Sequence, residues 1–421
     1  MTEKNGKKVY TLENGLKIVS EFDKGAKSCS LGVWVGSGSR YETPETAGTS
    51  HFIEHMLFRG THTRSSLDIA EQMDEIGGVL NAYTAKEYTC YYARALTEHA
   101  HRAFDIICDM LTDPRLDESD IELEKNVITE EIAMYEDSPE DLCSDVFYEN
   151  IWAGNALGQN ILGTRETVGA MTAAALRAHL EKFYVPERMV VSFCGNFDED
   201  GMLALCEKYF SQKQNTNNPI SVGGCGYKKN IVTVKKPFEQ NQIMLGYPGV
   251  ALNDEKRYAV QLLSSILGAS SSSKLFQRIR EELGLVYSVD CANASHLNIG
   301  AFIICAGVSA KSEEKAIKEI LKIVREFPET VTERELSRAK EQAVAGMIMS
   351  LESSSSRASR NGREQLLFSG LRDIEKVVEK IRGVTLGEIV EAAQTMFDIS
   401  NVSFCAVGKV GDEEYYRRIL K

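Results

Sequence analysis

Five residues, His51-Phe52-Ile53-Glu54-His55, follow the pattern H-x-x-E-H. On a helix, positions three and four apart share one face. His51, Glu54 and His55 would then project together, with the two imidazoles one turn apart. Two imidazoles so placed can reach one metal ion, and the carboxylate between them can act as a base. The order is the mirror image of the H-E-x-x-H signature and matches the inverted zinc-peptidase motif. A catalytic Zn²⁺ takes three protein ligands and keeps one position for water, so a distant Asp or Glu is required. The acidic segment NVITEEIAMYEDSPED, from Asn126, is the best source. Glu131 is preferred there: Glu124 lies seven residues earlier, two turns back on the same face, whereas Glu130 points about 100° away around the helix. The expected chemistry is metal-assisted hydrolysis, with Glu54 taking a proton from the attacking water and passing it to the leaving group.

The remaining histidines, His62, His99, His101, His179 and His296, show no such grouping. Ten cysteines are scattered with no C-x-x-C pair, so they read as reduced, mostly buried thiols and not as metal ligands. A net charge of −13 argues against nucleic-acid binding. No apolar stretch reaches the length that crosses a bilayer, and the N-terminal residues lack the apolar core of a signal peptide. A cytoplasmic protein without membrane insertion is expected.

Elements that must position these residues can be read from the pattern. At 421 residues, with 43% hydrophobic and 26% charged residues, the chain calls for more than one globular domain. The polar stretch QKQNTNNPISVGGCG divides it, giving expected domains 1–211 and 227–421 around a linker 212–226. CSLGVWVGSGS and NQIMLGYPG read as strands that end at glycine. YTCYYARALTE and GAFIICAGVSA read as strands leading into amphipathic helices.

The halves look like one module written twice. IGGVLNAYT from Ile76 lies over LGLVYSVDC from Leu283, and the same offset of 207 (283 − 76) places HFIEHML over YAVQLLS. LDESDIELEKNVI pairs with VTERELSRAKEQA at an offset of 215 (331 − 116). At these places the second half has Tyr258 for His51, Gln261 for Glu54, Leu262 for His55 and Gly346 for Glu131. Apolar positions persist while ligand types are confined to one copy, so only the first half reads as catalytic.

TSHFIEHMLFRGT, with NAYTAKEYTCYYA and VITEEIAMYEDSPED, resembles the pitrilysin-type metallopeptidases, with the nearest look to the mitochondrial processing peptidase β-subunit and its bacterial relatives. The match is nearly continuous from about Tyr10 to about Phe197 and resumes more weakly across the second half. The resemblance implies one Zn²⁺ per chain on His51, His55 and a glutamate seventy-six positions on, which is Glu131 (55 + 76), with Glu124 supporting the site from behind. It implies an α+β fold of two homologous modules, each an antiparallel-rich sheet packed with helices, facing each other across a chamber. It further implies that a peptide substrate adds as a strand near Asn81, Ala82 and Thr84. Arg280 and Tyr287, in KLFQRIREELGLVYS, would join Glu54 in catalysis, Tyr287 as an oxyanion donor and Arg280 as a substrate anchor. GASSSSKLF departs from the glycine-rich loop of the non-catalytic subunit of the processing peptidase. The Ser-rich SLESSSSRASRNGREQ resembles a helical segment in relatives.

The expected function is thus a zinc endopeptidase or oligopeptidase that cleaves short extended peptides or presequences. The alternative is a catalytically silent peptide-binding or scaffold subunit of the same family, whose ligand-poor members lack the set retained here. Oligomeric state stays open between monomer and homodimer.

Overall fold

The computed structural model describes residues 1–4, 6–216 and 222–420; residues 217–221, at the centre of the expected linker, lie outside the described residues. Seven strands form the first sheet: β1 (Thr2–Lys4), β2 (Lys7–Thr11), β3 (Lys17–Phe22), β4 (Ser28–Val35), β5 (Val79–Thr84), β6 (Thr89–Leu96) and β7 (Met189–Gly195). Their spatial order is β1-β2-β3-β7-β4-β6-β5. A second sheet holds β8 (Ile231–Lys235), β9 (Asn241–Gly249), β10 (Val286–Ser295), β11 (Gly300–Val308) and β12 (Ser403–Gly408), in the order β10-β11-β9-β12-β8. β3 pairs with β7 in parallel and β8 with β12 likewise; every other pairing is antiparallel. The run β3-β7-β4-β6-β5 is therefore repeated, strand for strand, as β8-β12-β9-β11-β10. The duplicated, antiparallel-rich α+β module expected from the sequence is present in both copies, and the four strands read from their apolar runs fall at β4, β6, β9 and β11.

Five helices bear on the site and its frame: α1 (Thr49–Leu57), α2 (Glu118–Asp137), α3 (Pro139–Ile151), α4 (Arg257–Leu267) and α5 (Ser354–Phe368). The chain divides into two compact units. One comprises Met1–Ile132, Gln159–Val222 and Ile348–Asp373, the other Ala133–Gly158, Gly223–Met347 and Ile374–Lys421. Each unit thus takes one helix from the other half of the sequence. β7 and β12 are buried along their whole length, because each is central in its sheet and both its faces are covered, which is why they read as unbroken apolar runs.

In the first unit α5 lies on β4 and β7. A Cβ added at Gly362 of α5 would sit 2.2 Å from the Trp34 ring, so only glycine allows this approach. Polar ties fix the same helix: Lys7 Nζ donates to Asn361 Oδ1 at 2.8 Å, and Arg357 donates to Glu21 at 3.2 Å and Asp23 at 2.8 Å. The Ser-rich segment is helical here because Ser353 caps it, accepting from the Ser356 N–H. In the second unit α3 lies on β9 and β12, and a Cβ at Gly246 of β9 would sit 2.2 Å from the Phe147 ring of α3. Among the described residues no helix is long and apolar enough to cross a membrane.

Candidate active site

α1 buries Phe52, Ile53, Met56 and Leu57 completely, and this apolar face fixes its rotation on the first sheet. The opposite side then presents His51, Glu54 and His55 together. α2 buries Ile121, Ile128 and Ile132, a stripe at helical spacing that turns Glu124 and Glu131 toward α1.

One atom each from His51, His55 and Glu131 lies within 4.8 Å of the others. His51 Nε2 is 3.6 Å and His55 Nε2 3.5 Å from the same Glu131 oxygen, and the two imidazole centroids are 4.6 Å apart. Two imidazole nitrogens and a carboxylate oxygen converging on one point is the donor set of a catalytic zinc site. His55 Nδ1 is held 2.8 Å from Glu124 Oε2, which leaves Nε2 for a metal, the arrangement in which an outer carboxylate orients a ligating histidine. Glu124 is itself gripped by the Arg59 guanidinium. The buried Nδ1 of His51 has no hydrogen-bond partner among the described residues. The residues present fit a zinc ion.

Electrostatics follow from this crowding. Burial, then the charge of His55, pulls His51 down to about 4. Burial would lower His55 too, but the hydrogen bonds to Glu124 and Glu131 outweigh it and raise it to about 9. The His55 hydrogen bond holds Glu131 below the usual carboxylate range. Burial opposes ionisation of Glu124, yet His55 and Arg59 prevail and lower it.

Glu54 sits on the same helix face, and Thr84 Oγ1 donates to its Oε2 at 2.5 Å. Burial raises Glu54 while that hydroxyl works against the rise. Thr84, expected at the substrate, thus touches Glu54 directly. Asn81 and Ala82 lie on β5, the outermost strand of its sheet, where the Ala82 N–H donates to Asn81 Oδ1 at 2.8 Å. Arg280 and Tyr287 belong to the second unit, with the guanidinium 5.9 Å from the Tyr287 ring centroid and Tyr287 75% exposed on β10. Arg59 escaped the sequence reading, although its position four residues after His55 on the chain was a signal for a partner to the acidic helix.

Comparison with known proteins agrees with this geometry. Residues 17–165 match the model described as Insulinase (Peptidase family M16), and residues 170–343 match Peptidase M16 inactive domain. The ligand-bearing stretch falls in the first match and the copy without ligands in the second. An uncharacterized zinc protease of Bacillus subtilis is 38% identical over 393 residues, covering 93% of this chain and 95% of that protein. An uncharacterized zinc protease of Rickettsia felis is 34% identical, covering 92% and 94%. Among solved structures, a protease from Helicobacter pylori superposes with a TM-score of 0.88 at 21% identity, covering 96% of this chain and 99% of that one. Complex III2 from Candida albicans contains a chain with a TM-score of 0.83 at 19% identity, covering 98% and 99%; these two establish likeness of fold. With its paired modules and its zinc protease relatives, the chain belongs to the insulinase family of peptidases, M16.

Proposed function

We propose that this protein is an active zinc endopeptidase or oligopeptidase that hydrolyses short, extended peptides. The observation that carries this reading is the convergence of His51, His55 and Glu131, with Glu54 on the same face. Zn²⁺, when bound there, supplies Lewis acidity toward the scissile carbonyl and the attacking water. His51, His55 and Glu131 hold the ion, and Glu124 keeps His55 turned to it. Glu54 takes the proton from the water and returns it to the leaving amine, with the Thr84 hydroxyl fixing which carboxylate oxygen faces the reaction. The free edge of β5 supports a substrate that pairs as an added strand along Asn81 to Thr84, an interaction that favours extended peptides with little demand on their sequence. Tyr287 is assigned to oxyanion stabilisation and Arg280 to anchoring substrate carbonyls; their adjacency on the second unit supports a shared role.

Glu54→Gln separates this reading from a silent scaffold. Zinc content by metal analysis stays at one per chain, while cleavage of a quenched peptide library falls by about 10²–10⁴-fold. Unchanged cleavage in that variant, or wild-type protein that takes up no zinc, would falsify the assignment.

A further inference from the structure

α1 carries three residues of the proposed centre, yet it has no means of capping itself. It starts at Thr49 after Gly48, whose φ of +90° lies in the left-handed region, and no side chain at that position accepts from the first turn. A Cβ at Gly48 would stand 2.5 Å from the Leu162 carbonyl oxygen, so a Ser, Thr or Asp cap cannot be accommodated there. The first turn also contains no acidic residue.

The orphan N–H groups are taken instead by Glu42. Its Oε2 accepts from the Gly48 N–H at 2.8 Å and its Oε1 from the Ser50 N–H at 2.6 Å. The carboxylate is only 6% exposed. Both oxygens are used, one on each side of the helix start, so the contact resists sliding as well as rotation. Such a contact bears on metal geometry. A helix advances about 1.5 Å per residue, whereas metal–ligand distances are set to within about 0.2 Å. The Ser50 N–H that Glu42 grips belongs to the residue immediately before His51.

The duplicated half provides an internal control. Only seven residues separate β9 from α4, against thirteen between β4 and α1, and the start of α4 is held by a nearer acid: Asp254 Oδ1 accepts from the Lys256 N–H at 2.8 Å. At α1, in the copy that bears the candidate ligands, one carboxylate bridges two N–H groups with both its oxygens, while at α4 a single carboxylate oxygen takes one N–H.

We infer that Glu42 is a positioning residue for the metal centre, a buried clamp that sets α1 so that His51 and His55 reach one ion together. The inference rests on the zinc reading proposed above. Its test compares wild type, Glu42→Gln and Phe193→Leu, the last a core substitution on β7 of the same unit that lowers stability away from α1. Zinc affinity is measured by competition with a chromophoric chelator, the Co²⁺-substituted protein is examined for its visible ligand-field bands, and thermal unfolding is recorded for each. Glu42→Gln is expected to weaken zinc about tenfold or more and to alter the Co²⁺ bands, while Phe193→Leu lowers the melting temperature and leaves both metal readouts at the wild-type value. Glu42→Asp, charged but one methylene too short to span both N–H groups, gives the same comparison if Glu42→Gln is recovered unfolded. Wild-type zinc affinity and Co²⁺ bands in the folded Glu42 variant overturn the inference, as does an equal loss in Phe193→Leu. Wild-type protein that binds no zinc overturns the zinc reading instead, so the two failures are distinct.

Discussion

α1 and α4 occupy the same place in two copies of one sheet topology, and they differ in what they have kept. Both follow a matched strand of their module, β4 or β9, and both bury an apolar face. At matched positions α1 has His51, Glu54 and His55, while α4 has Tyr258, Gln261 and Leu262. Leu262 is fully buried, and Tyr258 is nearly so, with Arg257 donating to its hydroxyl at 2.9 Å. A fold that needs only packing at this place accepts apolar and aromatic residues. The polar set in α1 is costly to bury and needs Glu42, Glu124, Arg59 and Thr84 around it. The contrast teaches that these polar residues answer to chemistry, because the same architecture stands without them.

Substitutions can break the contrast or sharpen it. Removing the carboxylate ligand by Glu131→Gln is expected to empty the zinc site and drop peptide hydrolysis to background, read by metal analysis and a fluorogenic assay. Leu262→Ala, at the place in the second unit matched to His55, should leave zinc content untouched and cost about 2–5 kcal/mol of stability by denaturant unfolding. Next comes Glu124→Gln, which leaves all three ligands in place but frees His55 Nδ1. Zinc affinity should fall about 10–100-fold in a chelator competition, whereas Ala339→Gly, at the matched position (124 + 215), leaves it unchanged. Gly362→Ala and Gly246→Ala test the parallel between α5 and α3. Each pushes a methyl group into an aromatic ring and should cost about 1–3 kcal/mol in thermal or chemical unfolding. The smallest effect is expected from Thr84→Val. Losing one hydroxyl donor to Glu54 should cost about 1 kcal/mol, roughly fivefold in kcat/KM, with zinc affinity unchanged. A loss of zinc in that variant would move Thr84 from the base to the metal.

Much of this was legible from spacing alone. His51, Glu54 and His55 needed only the helical period. Glu131 needed the acidic helix and the resemblance that settled it over Glu130. The repeat at offsets of 207 and 215 predicted β5 over β10 and α2 over the helix Glu333–Ser350, and the strand order agrees. What stayed hidden depends on approach in space. Glu42 caps a helix that starts seven residues later, and nothing in the sequence says that Gly48 forbids an ordinary cap. Arg59 was visible as a charge and not as the partner of Glu124. The burial of Asn361, Gly362 and Glu364 in a Ser-rich segment defies composition, because that face of α5 docks through glycine and polar ties instead of a leucine stripe.

The reciprocal placement of α3 and α5 has a consequence for how the protein is made. On the ribosome the chain emerges from its N-terminus, and domains usually close in the order of synthesis. Here the first sheet, with its candidate zinc ligands all translated by Glu131, lacks its covering helix until Phe368 has emerged. By then nearly all of the second sheet is out as well, and it already holds α3 from the first half. Neither unit can finish as a self-contained fragment of the nascent chain, and cutting the gene at the linker would leave each product with a borrowed helix and a bare β-sheet face. Duplication gave the two modules, but the exchange bound them into a single inheritable piece.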